Sequence, residues 1–197
     1  MRGLQFGSLP NWWFRDKSLL SNLRSDDTGT GIAAMKCLIA LSVLIDFHSR
    51  DTASSLSDLE TITGLSRPMV VRGINRLQKQ GVIEVDKTNY KNNYKLLVVS
   101  GDNRWAKVPV DKVRKELKLI SNRGIAPFSA LKIYITLLSL RYQDKIHVKI
   151  THETLRDYTK VQPNQIRSGL DVLFSNSMIH LMPKDEQTSN EYKLLGL

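Results

Sequence analysis

Leu56-Ser57-Asp58-Leu59-Glu60-Thr61-Ile62-Thr63-Gly64-Leu65-Ser66-Arg67-Pro68-Met69-Val70-Val71-Arg72-Gly73-Ile74-Asn75-Arg76-Leu77-Gln78-Lys79-Gln80-Gly81-Val82-Ile83 is the stretch on which the fold turns. It reads as a short helix over 56–63, a tight turn at Gly64-Leu65-Ser66, a second helix over 67–80, and a strand starting at Val82. Ser55 or Ser57 suits the cap of the first helix. Pro68 falls in the first turn of the second, where a missing N–H costs nothing. Val70, Ile74 and Leu77 recur at i, i+4, i+7 and turn one face to a core.

Outward from this stretch, Val82–Asp86 and Tyr94–Ser100 read as two strands around a polar tip, Lys87–Asn93. Upstream, an apolar-periodic helix is expected over about 30–49. Two helices joined by so short a turn form a helix-turn-helix, whose second helix can enter the major groove of DNA, with the hairpin behind it as a wing. On these residues the stretch resembles the winged helix-turn-helix of bacterial regulators and phage replication proteins. There Gly-Leu-Ser is the turn, and Leu-x-x-x-Gly-hydrophobic-Ile closes the recognition helix and opens the wing. The resemblance speaks to fold more than to function, because unrelated regulators share it.

The chain also repeats itself at an offset of 96 residues. Ile32–Leu41 falls on Phe128–Leu137, which aligns Lys36 with Lys132. Leu59 and Thr63 fall on Leu155 and Thr159; Val70, Gly73, Ile74 and Leu77 fall on Ile166, Gly169, Leu170 and Leu173. With two residues more, Tyr94-Lys95-Leu96-Leu97 matches Tyr192-Lys193-Leu194-Leu195 identically. The second copy accordingly predicts helices over about 127–142, 151–158 and 163–176. Thr151 is its cap, Lys160-Val161-Gln162 its turn and Pro163 its helix start; strands follow at Met178–Met182 and Tyr192–Leu197. The expected fold class is α+β, mostly helical, with two tandem winged helix-turn-helix domains related by internal duplication. The expected division is an aromatic-rich arm at 1–27, a first domain at 28–100, a basic linker at 101–126 and a second domain at 127–197.

Charge points to the partner. Lys and Arg total 29 against 19 acidic residues, and the +10 excess favours a polyanion such as nucleic acid. In the first copy Met69, Arg72, Arg76 and Lys79 share a stripe, with Ser66 and Arg67 at its N-terminal end. Guanidinium groups there suit guanine edges or phosphate. Lys87, Lys91 and Asn92 on the wing suit phosphate. The second recognition helix offers Gln162, Asn164, Gln165, Arg167 and Ser168, which suit adenine edges or water-bridged contacts. Its wing tip mixes Lys184 with Asp185 and Glu186, which phosphate repels. DNA contact and self-association are both open for this copy.

Between the copies, Val110–Leu119 reads as a helix, and Lys112, Arg114 and Lys115 suit a phosphate backbone, or alternatively a solvated face. Trp105-Ala106-Lys107-Val108-Pro109, followed by Ala130-Leu131-Lys132-Ile133-Tyr134, is similar to the opening of winged-helix domains in plasmid replication initiators. That resemblance implies replication initiation in preference to plain transcriptional control. In the arm, Phe6, Trp12, Trp13, Phe14, Leu19, Leu20 and Leu23 are expected to pack against the first copy, with a dimer contact and then stacking on nucleic-acid bases as the alternatives.

Other chemistries find no support in the sequence. Cys37 is the only cysteine, which excludes an intramolecular disulfide; its apolar neighbours make it a core residue. The histidines His48, His147, His152 and His180 lack zinc spacing. Gly29-Thr30-Gly31 lacks the preceding strand of a dinucleotide site, and no P-loop or nucleophile–base set is present. The apolar run Ile32–Phe47 holds Lys36 and Asp46 and is too short to span a membrane. The opening residues do not form a signal segment. The expectation is a cytoplasmic, non-enzymatic protein without cofactor or metal that binds double-stranded DNA specifically. Replication initiation at repeated origin sites is the leading role; transcriptional regulation and a protein-assembly module are the alternatives. Further partners to consider are a second copy and the replication or transcription machinery, with no membrane partner.

Overall fold

The computed structural model describes residues 6–12, 18–46, 48–88, 90–98, 104–142, 144–183 and 189–197. In chain order the first half holds β1 (Phe6–Pro10), α1 (Ser18–Asn22), a 3-10 turn (Ser25–Asp27), α2 (Thr28–Ser42), β2 (Asp51–Ser54), α3 (Leu56–Thr63), α4 (Arg67–Lys79), β3 (Ile83–Asp86) and β4 (Asn92–Leu96). The second half holds β5 (Trp105–Pro109), α5 (Val110–Glu116), a 3-10 turn (Leu117–Leu119), α6 (Ile125–Leu140), β6 (His147–Ile150), α7 (His152–Thr159), α8 (Pro163–Ser175), β7 (Ile179–Leu181) and β8 (Asn190–Leu194). The class is α+β, with helix predominant and small antiparallel sheets. The same kinds of element follow one another in the same order in both halves.

Local chemistry explains the helix boundaries. Ser55 and Asp58 form a reciprocal capping box that starts α3: the Asp58 N–H donates to Ser55 Oγ at 3.1 Å, and the Ser55 N–H to the Asp58 carboxylate at 2.8 Å. Thr151 Oγ1 accepts the Thr154 N–H at 3.1 Å and starts α7. Asp27 caps α2 by accepting the Thr30 N–H, so the glycine pair Gly29 and Gly31 lies inside a helix. Pro68 and Pro163 sit in the first turns of α4 and α8.

The two long helices are the spine. α2 and α6 are buried along almost their whole length and show no polar face, so each is enclosed on all sides. α2 packs on α4, α6 on α8, and α2 and α6 on each other. Gly73 brings α4 onto α2: a β-carbon there would stand 2.6 Å from the Ala33 carbonyl oxygen. Gly169 does the same for α8, where a β-carbon would stand 2.9 Å from Ile133 Cδ1 and 3.0 Å from the Ala130 nitrogen.

Three strands escape the sequence reading: β1 in the arm, and β2 and β6, one in each half. α2 ends at Ser42, well short of the expected residue 49. The chain then turns through Asp46, whose carboxylate accepts the backbone N–H groups of His48 and Ser49, and enters β2. α6 ends at Leu140 and leads into β6 in the same way. Each half therefore has a three-stranded antiparallel sheet, ordered β2-β4-β3 and β6-β8-β7, where the sequence predicts a two-stranded hairpin. The hairpin strands also sit earlier than expected, at Asn92–Leu96 and Asn190–Leu194.

The arm and the basic stretch are integral to the fold. β1 pairs antiparallel with β5 from Phe6↔Pro109 to Pro10↔Trp105. Leu9, Leu19, Leu20 and Leu23 are buried, and the Trp12 indole N–H donates to the Leu97 carbonyl at 2.8 Å. Expected to pack on the first copy, the arm also reaches the second: α1 lies against α7, and the Asn11 amide donates to the Ser139 carbonyl. Reciprocally, α5 and the Leu117–Leu119 turn lie against α3. Trp13, Phe14 and the second hairpin tip with Lys184, Asp185 and Glu186 lie outside the described residues.

Candidate nucleic-acid interface

The site is built on the two turns that precede α4 and α8. Gly64 takes a left-handed conformation (φ 67°) and its N–H closes α3 on the Glu60 carbonyl at 2.9 Å. Lys160 takes the same conformation (φ 53°) and bonds the Arg156 carbonyl at 2.8 Å. A non-glycine residue there costs about 1 kcal/mol.

Beneath each turn lies a buried lysine. Lys36 Nζ donates to the Thr63 carbonyl at 2.9 Å, and Lys132 Nζ to the Thr159 carbonyl at 3.0 Å. Each ammonium thus meets the C-terminal end of a short helix, where carbonyls are unpaired and the helix dipole is negative. Burial lowers both amines to about 8. The hydroxyls of Thr63 and Thr159 accept the N–H of Leu65 and Val161, which fixes the next residue of each turn. Cys37, beside Lys36, is buried in the core, and burial pushes its thiol up to about 12.

α4 buries Val70, Gly73, Ile74 and Leu77 and turns Ser66, Arg67, Arg72 and Lys79 to solvent. Arg67 also bonds Ser57 Oγ at 3.0 Å and Glu60 at 3.4 Å, yet its side chain stays largely exposed. Met69 and Arg76 differ from the sequence reading. Met69 is half-buried against Gly29 in the first turn of α2, and Arg76 donates to the Asn22 carbonyl at 2.8 Å, toward the arm. The outward stripe is rotated from the expected one and runs through Arg72, Asn75 and Lys79; Asn75 is a position the sequence reading missed. On the hairpin, Lys87 and Lys91 are exposed, with Tyr90 standing free in solvent between them. Asn92 instead bonds the Tyr94 hydroxyl at 3.0 Å within the sheet, as Asn190 bonds Tyr192 in the other half.

α8 buries Ile166, Gly169, Leu170 and Leu173 and exposes Asn164, Arg167 and Asp171, with Gln162 exposed at its cap. Gln165 and Ser168 are half-buried, and the Ser168 hydroxyl is spent on the Gln165 carbonyl at 3.0 Å. On α5, Arg114 and Lys115 are exposed, whereas Lys112 is half-buried and pairs with Glu116 at 3.5 Å.

One segment relates the two helices. Leu23, Arg24 and Asp26 line a hollow of about 510 Å³ together with Arg76, Lys79 and Gln80 at the end of α4. The same three residues line a second hollow with Lys160, Gln162 and Gln165 at the start of α8. The C-terminal end of α4 and the N-terminal end of α8 therefore flank a common ridge.

Besides Asn75, sequence reasoning passed over the two buried lysines. Their signal was present: Lys36 and Lys132 align in the repeat, as do Thr63 and Thr159, and each lysine interrupts an apolar helix. Among the described residues no helix is long and apolar enough to cross a membrane, and no group of three metal-ligating side chains is assembled. No protein-family model matches the chain, and no curated protein sequence is significantly similar to it.

Proposed function

We propose that the chain is a sequence-specific binder of duplex DNA built from two winged helix-turn-helix modules that arose by internal duplication. The observation that carries this reading is the exposed basic stripe on α4. It stands on the helix that follows a capped short helix and a left-handed turn, with a lysine-bearing hairpin behind it. Duplication is supported by the matched contacts beneath both turns, by the glycine pair at the helix crossings, and by the two sheets of identical strand order.

The first module supplies most of the affinity through Arg72, Lys79, Arg67 and the wing lysines. The second adds selectivity through Gln162, Asn164 and Arg167. The shared ridge at Leu23–Asp26 favours both helices addressing one DNA molecule. The protein acts by binding, without catalysis or cofactor. The role most in keeping with the Trp105–Pro109 strand and the helix beyond it is initiation of replication at repeated origin sites.

The test is selection of duplexes from random sequence, followed by mobility shift across a salt series. A bipartite site is expected, with halves about one helical turn apart. Affinity is expected to fall by a factor of about 10³ or more between about 50 and 200 mM salt as counterions are released. No enrichment at low salt would overturn the reading in favour of a protein-assembly module.

A further inference from the structure

Lys36 does more than its counterpart. Besides the Thr63 carbonyl, its ammonium donates to the Ile120 carbonyl at 2.5 Å and to Asn122 Oδ1 at 2.7 Å. The Asn122 amide completes the loop by donating to the Gly64 carbonyl at 2.7 Å. All three donors of the ammonium are used, and the acceptors come from two separate parts of the chain. Thr63 and Gly64 form the turn that launches α4. Ile120 and Asn122 belong to the segment that runs directly into α6, the spine of the second half. Among the described residues Lys132 makes the intramodular version alone: one carbonyl, Thr159, and the ring of Phe128 at 4.8 Å from its centroid.

We propose that Lys36 and Asn122 are a positioning pair that fixes the first reading helix relative to the second module and so sets the spacing at which two DNA half-sites are recognised. The proposal rests on the DNA-binding reading above. Its logic is that stability alone does not call for this arrangement. An apolar side chain of similar volume fills a buried position at least as favourably as an ammonium does, whereas a fully bonded buried charge selects one geometry over its neighbours. Here the selected geometry is intermodular. The left-handed turn at Gly64 is tied to the other half directly by the Asn122–Gly64 bond and, through Lys36, by two more, and a β-carbon at Gly64 would meet the Lys118 carbonyl oxygen at 2.8 Å, so the two surfaces are in close contact. A rigid relation between two readers makes affinity depend steeply on half-site spacing. A loosened relation flattens that dependence while leaving each reader intact.

The experiment measures binding of the full chain to the selected bipartite duplex and to versions with one to five base pairs inserted between its halves. For the wild type, insertion of about half a helical turn is expected to weaken binding about 100-fold, because both halves can no longer be engaged together. Asn122→Ala is expected to bind the uninterrupted site within about threefold of wild type and to lose less than about tenfold on insertion. Asn122→Asp keeps the acceptor for Lys36 and is expected to restore most of the steepness. If Asn122→Ala fails to fold, Lys36→Met, which preserves volume, takes its place. A spacing profile in the variant identical to that of wild type overturns the proposal. A wild type that binds no duplex overturns the DNA-binding reading instead.

Discussion

α4 and α8 have the same buried face and opposite surfaces. Position for position, Val70, Gly73, Ile74 and Leu77 answer to Ile166, Gly169, Leu170 and Leu173, and all eight are buried. Off that buried face, Arg67, Arg72 and Lys79 answer to Pro163, Ser168 and Ser175, Asn75 to Asp171, and Arg76, drawn aside to Asn22, to Val172. Only Arg167 adds a cation, where the first helix has Val71. The core constrains the frame because a lost or added methylene is felt there. The surface is free of that constraint, so the same frame carries a cationic helix face in one half and a neutral one in the other.

The largest expected effect tests the frame. Gly73→Ala meets a backbone carbonyl that cannot move aside, and about 3 kcal/mol of stability is expected to be lost in urea unfolding. Gly169→Ala meets in part the end of a flexible isoleucine and is expected to cost about 1 kcal/mol. Equal costs would mean that the two helix crossings are equally tight.

Next comes the surface. Arg72→Ala is expected to weaken binding to the selected duplex by about 2 kcal/mol, and Arg167→Ala by under about 1 kcal/mol. A reversed ranking in mobility shifts would move the main reader to the second half. Arg76→Ala is expected to lower thermal stability as well as affinity, because its guanidinium holds the arm at Asn22.

The buried lysines test how alike the halves are beneath the surface. Both amines are lowered to about 8, so between pH 8 and 10 the unfolded chain binds more protons than the folded one. The lysines are therefore expected to raise stability across that window by on the order of 1–2 kcal/mol each, a contribution that levels off below pH 8 where both states are protonated. From about pH 9 the buried Cys37 thiol, pushed up to about 12, opposes this rise, and above pH 10 the buried tyrosines Tyr94, Tyr134 and Tyr192, all raised by burial, reverse it. Lys36→Met and Lys132→Met should each remove about half of the rise; denaturant titrations at stepped pH would show a rise that belongs to one lysine alone.

The smallest difference concerns the caps. Ser55→Ala breaks a reciprocal box and is expected to cost about 1.5 kcal/mol, against about 0.7 kcal/mol for Thr151→Ala, whose box has one side only. Thermal melts of the two variants would resolve this.

Local signals were the legible ones. The bounds of α3, the proline starts of α4 and α8, the Thr151 cap and the Gly64 turn all follow from side chains acting within four residues of themselves. β2 and β6 were illegible because four-residue strands carry little alternation and owe their existence to β4 and β8, some forty residues away. The stripe on α4 was legible in composition but not in rotation, since Arg76 is drawn aside by Asn22, a residue 54 positions upstream. The Lys36–Asn122 link spans 86 positions and leaves no local pattern at all.

The pairing of β1 with β5 has a consequence for how the chain is made. β1 leaves the ribosome about 100 residues ahead of its partner strand, and at roughly 5–20 residues per second that interval is on the order of 5–20 s. Throughout it the nascent first half has neither the strand that covers Phe6–Pro10 nor the segment that anchors Lys36. Its α2, buried on every side in the finished fold, also waits for α6. The nascent chain therefore presents sticky surface for seconds before completion, and this is the stage at which a holding chaperone would have most to shield.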